Sequence, residues 1–162
     1  MKLIYKIVIG GVILLSLILC FVFFSYENMS IKKSIKQYYK VVDIERDVDK
    51  HNSLVIKADQ LKSFDSIPNI IKSRDILELK EINPQKYPLL KYKLESTYLG
   101  KEKNVKFYMI KYDIKFKENS VSPVDSGVYY SIVTLEKHQG TWLLITDTHS
   151  ASFKNGVLSV DS

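Results

Sequence analysis

The chain has 162 residues and a mass of 18.8 kDa, with 24 basic side chains, 18 acidic ones and a single cysteine. That length holds one domain of ordinary size and excludes a barrel enzyme, a two-domain dehydrogenase or a kinase core. The basic excess is small and interleaved with acids, which argues against nucleic acid as a partner, and Cys20 alone can form neither an internal disulfide nor a thiolate metal site.

Nineteen of the first 24 residues are apolar, and Ile7 to Phe24 carries no charge. As a helix this run is about 27 Å long, close to the roughly 30 Å hydrocarbon core of a bilayer. Leu3, Ile4 and Tyr5 extend it, with Lys6 reaching back to the interface. The rest of the chain is too short to surround such a helix, so the expectation is a membrane span through Ile7, Leu14, Leu15, Leu19 and Phe24. From Cys20 to Tyr26 there is no pair of small residues of the kind a signal peptidase cuts, and a bulky Leu19 precedes Cys20 where lipid-modified signals carry a small residue. Both features favour an uncleaved signal anchor. Lys2 and Lys6 with the free amino terminus favour a cytoplasmic N-terminus and a domain on the outer side.

Beyond the span, Ser30 is the expected N-cap of an amphipathic helix with Ile31, Ile35, Tyr39 and Val42 on one face. Asp47 and Asp49 should end it. Lys32, Lys33, Lys36 and Lys40 fall on its other faces, a solvated surface that can also meet anionic headgroups. Residues 51–71 are ambiguous: Ser53 could cap a short helix through Leu54, Ala58 and Leu61, or Leu54 to Ile56 could be a strand. Ile76 to Ile82 alternates as a strand, and Leu89 to Leu99 reads as a helix with Leu90, Leu94 and Tyr98 on one stripe.

The last third reads as a meander of three strands. In Val105–Lys117, Tyr108, Ile110, Tyr112, Ile114 and Phe116 share one face, and Lys111, Asp113, Lys115 and Lys117 share the other. A turn segment over Asn119–Gly127 leads to a strand over Val128–Lys137. His138-Gln139-Gly140 then forms a hairpin into Trp142–Thr148. The expected class is therefore α+β, a transmembrane helix followed by an amphipathic helix packed on a curved antiparallel sheet with one face packed and one partly wet. The expected division is an anchor over 1–25, an extracytoplasmic domain over 26–150 and a tail over 151–162.

The order of these elements, with Gln37-Tyr38-Tyr39 on the helix, Tyr112-Asp113-Ile114-Lys115-Phe116 on a strand, the Ser122-Pro123-Val124-Asp125-Ser126-Gly127 turn and the closing Thr141-Trp142-Leu143-Leu144-Ile145 strand, resembles a known group. It is similar to uncharacterised exported or lipid-anchored domains of Gram-positive bacteria with a nuclear-transport-factor-two-like, cystatin-like fold. The resemblance covers about residues 30–150 and implies a cone-shaped α+β domain. It implies no activity and no set of functional residues.

No chemical motif stands out. His51, His138 and His149 show no metal-ligand spacing, and only Asp147 and His149 share a strand face, so exposed histidines are expected. Enzymes on such folds place a carboxylate in an apolar pocket, but Asp113 sits between Lys111 and Lys115 on the wet face. Gly100, Gly127 and Gly140 are isolated turn glycines, with no phosphate-binding loop. The expectation is a membrane-anchored binding or scaffolding module with no catalytic residues, no metal and no cofactor. One alternative is a small-ligand binder or enzyme using the interior of the cone, which filling by Phe107, Tyr112, Ile132 and Trp142 would remove. Another, by fold-level analogy alone, is a subunit of a conjugation or secretion machine.

Overall fold

No glycine or proline stands between Gly11 and Pro68, so nothing there stops a helix once it has started. In the computed structural model, which describes residues 2–118, 120–122, 124–154 and 157–160, helix α1 runs Lys2–Lys40. Ser30 therefore lies inside α1 and caps nothing. Extending a helix is cheaper than nucleating a second one, and Ser25 to Met29 contains no breaker. The chain divides into two units, residues 1–33 and residues 34–162, and the first consists of α1 alone.

In the second unit α1 ends by widening into a π-helical turn, Val41–Glu45. Arg46 closes that turn in the left-handed conformation, φ 52°, with its N–H on the Val41 carbonyl at 2.6 Å. Asp47 and Asp49 do not end this helix: Asp47 caps α2 (Val48–Leu54) by accepting from the Lys50 N–H at 3.0 Å, and Asp49 lies in the first turn of α2. Neither reading of this segment holds as made: Leu54 ends α2, Val55 alone forms a parallel bridge, to Leu144, and a short 3-10 turn follows at Lys57–Asp59.

Five antiparallel strands follow in the order β1-β2-β3-β4-β5: β1 Ile71–Ile82, β2 Val105–Phe116, β3 Gly127–His138, β4 Thr141–Lys154 and β5 Val157–Val160. Helix α3 (Pro88–Thr97) lies between β1 and β2 in sequence, with Pro88 in its first turn, where a missing N–H costs nothing. The β3–β4 hairpin turns on Gln139 and Gly140, both with positive φ (49° and 87°), the pairing that a right-twisted two-residue hairpin demands. The β2–β3 connection is tied by side chains. Phe116 N–H donates to Ser126 Oγ at 3.1 Å, and the Tyr129 hydroxyl donates to the Asp125 carbonyl at 2.6 Å. Strand β4 runs past residue 150 and pairs with β5 from Ala151 to Lys154.

The second sheet face, expected to be partly wet, is so only toward the end of β2, where Lys111 and Asp113 are half-buried and Lys115 is exposed. Both faces are covered around the middle of β2, where Phe107, Tyr108, Met109 and Ile110 are all buried. On the odd-numbered face Val105, Phe107 and Met109 join Ile132 and Ile145 in a core closed by Leu90, Leu94 and Tyr98 of the α3 segment. On the even-numbered face Tyr112 meets Tyr39 of α1, ring centroids 6.3 Å apart. Alternation in sequence separates the two faces, but it does not say which helix will cover the second one.

Candidate functional site

The residues with the most unusual surroundings lie where α1 ends beside β1. Ile31, Ile35, Tyr39 and Asp43 recur every four residues, and all four are buried. A carboxylate thus occupies the apolar stripe, where it needs a partner. The partner is Arg74 of β1. Its Nε donates to Asp43 Oδ2 at 2.8 Å and its Nη2 to Asp43 Oδ1 at 3.2 Å, a two-pronged bond. The Asp43 side chain is 2% exposed and that of Arg74 13%. The guanidinium also lies over two rings, 4.4 Å from the Tyr39 centroid and 4.7 Å from that of Tyr112. Tyr129 stacks on the far side of Tyr112 at 6.3 Å.

Burial sets the titration of this group. It pushes the Asp43 carboxyl above its ordinary value, and contact with Arg74 pulls it partly back. Burial likewise raises the Tyr38 and Tyr39 hydroxyls, with mutual repulsion adding at Tyr38 and Arg74 opposing in both. Tyrosines raised in this way stay protonated at neutral pH and cannot serve as bases there.

Outside this pair a cleft of about 250 Å³ is lined by Lys36, Tyr39, Lys40, Asp43 and Ile44 from α1 and its π turn, and by Arg74, Asp75 and Ile76 from β1. Lys40 bridges to Glu45 at 2.7 Å and Lys50 joins the same carboxylate at 2.9 Å, so Glu45 titrates below its ordinary value. Ile44 is exposed at the cleft mouth.

A second cluster holds the segment before β1. His51, expected to be exposed, is buried between the rings of Tyr38 and Phe64, each with its centroid 5.6 Å away, and its Nδ1 lies 3.2 Å from Asn52 Oδ1. The amide of Asn52 accepts from Leu61 N–H (2.7 Å) and donates to Leu61 O (2.8 Å), copying a strand pairing with one side chain. Arg46 donates to the carbonyls of Phe64 and Ile67, both at 2.6 Å, with Phe64 under its guanidinium. Asp59 accepts from Thr146 N–H of β4 at 2.8 Å.

Among the other singled-out residues, Lys32, Lys33, Lys36 and Lys40 are all exposed, and only Lys36 and Lys40 line the cleft. Leu14, Leu15 and Leu19 are exposed on α1, as is Cys20. Ile7 and Phe24 belong to α1, but their side chains lie outside the described residues, as do those of Asp147 and His149. Asp113 pairs across the sheet with Asp75. His138 is exposed on the hairpin, 3.4 Å from Glu136 Oε1. No group of three potential metal ligands occurs among the described residues. The Asp43–Arg74 pair had one signal in the sequence, an acid at the fourth step of an apolar stripe, and none that named Arg74.

These features define an α+β domain preceded by one helix long and apolar enough to cross a membrane. Residues 32–147 match the family described as "Domain of unknown function (DUF4829)", and the chain belongs to that family. No curated protein and no solved structure matches it.

Proposed function

We propose that the protein is a single-span membrane protein whose domain stands on the extracytoplasmic side and works as a binding or scaffolding module. The observation that carries this reading is the belt from Val12 to Val22, where every large apolar side chain is exposed. Exposed apolar area of this extent is stable only in lipid or against a partner, at roughly 25 cal/mol for each Å². Ile7, Leu14, Leu15, Leu19 and Phe24 would lie in the bilayer, with Lys2 and Lys6 holding the N-terminus inside and Lys32 and Lys33 meeting headgroups outside. The order of helix and antiparallel sheet supports the likeness to the nuclear-transport-factor-two-like fold, and the sequence resemblance alone supports the likeness to exported Gram-positive domains. Phe107 and Ile132 are packed in the core under α3, while Trp142 is buried on the opposite face of the sheet, where Tyr112 is half-buried. That packing turns attention to the outer surface, where the cleft lies.

Fractionation and protease treatment of intact cells test the reading. The full chain should stay with membranes after alkaline carbonate washing, and external protease should remove the segment beyond residue 30. Full-length protein dispersed in detergent-free cytosol would sink it.

A further inference from the structure

The binding reading leaves open what is bound, and the distribution of charge narrows the choice. Beyond residue 24 the chain carries 22 basic and 18 acidic side chains. Residues 86–104 hold five lysines against Glu95 and Glu102, which leaves the other positions nearly balanced, with 17 basic and 16 acidic. This basic stretch runs through the 3-10 turn Pro84–Lys86, helix α3 and the 3-10 turn Glu102–Asn104. Backbone bonds hold both turns to the helix: Lys91 N–H donates to the Tyr87 carbonyl at 2.9 Å, and Lys101 N–H to the Tyr98 carbonyl at 2.8 Å.

The inner stripe of α3, through Leu90 and Leu94 to Tyr98, is buried on the sheet. Tyr92 lies roughly half a helical turn from both leucines and is 70% exposed, and Leu99, just past the helix, is 78% exposed. Lys86, Lys91, Lys101 and Lys103 are exposed around them. Lys91 reaches Glu95 at 3.9 Å, and Glu102 turns its carboxylate to the Gly100 N–H at 2.9 Å. Lys86, Lys101 and Lys103 make no ion pair among the described residues, so the exposed balance stays positive. A ring and an aliphatic side chain among lysines suit the boundary of an anionic bilayer. The ring settles at headgroup level, and the ammonium groups reach phosphate while their stems lie on apolar surface. A helix packed on a sheet presents a ridge and no groove, which fits a membrane surface better than a bound peptide.

Deepening the membrane reading, on which it rests, we propose that the outer face of α3 and its flanking turns docks on anionic lipid of the bilayer that holds α1. Tyr92 and Leu99 enter the headgroup layer, and Lys86, Lys91, Lys101 and Lys103 meet the phosphates. The anchor keeps lipid at a high effective concentration, so a contact too weak for a free domain suffices here.

The test uses the full chain with Cys20→Ser and Ser96→Cys, the second an exposed position one turn beyond Tyr92, labelled with the polarity-sensitive dye NBD. In nanodiscs containing phosphatidylglycerol the emission should move to the blue and acrylamide should quench it less. Phosphatidylcholine nanodiscs should show neither change, and added salt should reverse both. Lys101→Gln with Lys103→Gln should lower the ratio of docked to undocked chain roughly 25-fold, about fivefold for each lysine. Lys57→Gln with Lys62→Gln, the same loss of charge at exposed positions elsewhere, should leave that ratio unchanged. Tyr92→Ser with Leu99→Ser should also weaken docking. Identical spectra in the two lipids, or indifference to Lys101→Gln/Lys103→Gln or to Tyr92→Ser/Leu99→Ser, would each overturn the proposal. So would a shift seen only when separate phosphatidylglycerol vesicles or polyglutamate are added to phosphatidylcholine nanodiscs, which would assign the face to another membrane or to an acidic protein. A chain that fails to enter nanodiscs would sink the span and the docking together, whereas one that enters and shows no shift would remove only the docking.

Discussion

Asp43 and Arg74 stabilise the domain only as a pair. Each charge alone would be stranded where little water reaches, and the bond between them offsets a desolvation cost that neither could meet. Asp43→Ala should therefore destabilise the domain by about 3 kcal/mol in urea unfolding, and adding Arg74→Met should recover much of that loss. Tyr38 gives a pH signature. Burial holds its hydroxyl well above the ordinary value of 10.0, so the folded chain keeps a proton that the unfolded chain releases. Its contribution is complete below that ordinary value and is lost as the pH climbs past it. Between about pH 9 and pH 11 the urea midpoint should fall less steeply in Tyr38→Phe than in the parent. Equal slopes would show that the hydroxyl is not held back.

The connecting elements depend on single side chains that no periodic pattern reveals. Arg46 holds a left-handed backbone and also clamps the carbonyls of Phe64 and Ile67. The two roles can be separated. Arg46→Ala loses the clamp and keeps the backbone strain, whereas Arg46→Gly loses the clamp and relieves the strain, so glycine should be the milder change by about 1 kcal/mol. Both should speed proteolysis between residues 57 and 70, since that segment is largely exposed and Arg46 supplies two of the side-chain bonds that hold it. In the β3–β4 turn, Gln139→Asn should stabilise the hairpin by a few tenths of a kcal/mol or more, roughly the advantage of asparagine at positive φ. A lower urea midpoint would contradict that account.

For the molecule as a whole, the balance between lipid and water at α1 governs location. Leu15→Arg would place a charge in the middle of the span at a cost of about 3 kcal/mol, and the carbonate-resistant fraction should shrink. Cys20→Ser should leave membrane association unchanged, because the helix and not a lipid on that sulfur holds the chain. Loss of association in that variant would revive lipid modification.

Element type was legible wherever the periodicity was long. The apolar N-terminus, the α3 stripe through Leu90 and Leu94 and the alternation from Val105 onward each fixed a helix or a strand, because burial selects side chains at intervals of 3.6 or 2. The β2–β3 turn and the Gln139-Gly140 hairpin were legible through turn chemistry. The merging of two expected helices into α1 was not, since it depends on the absence of a break. Only the tertiary structure decided that the β2 sheet is covered on both faces, that His51 is buried between rings, and that Asp43 meets Arg74 of β1. Such pairings join residues far apart in the chain, and a local pattern shows that a group will be buried without showing what it will be buried against.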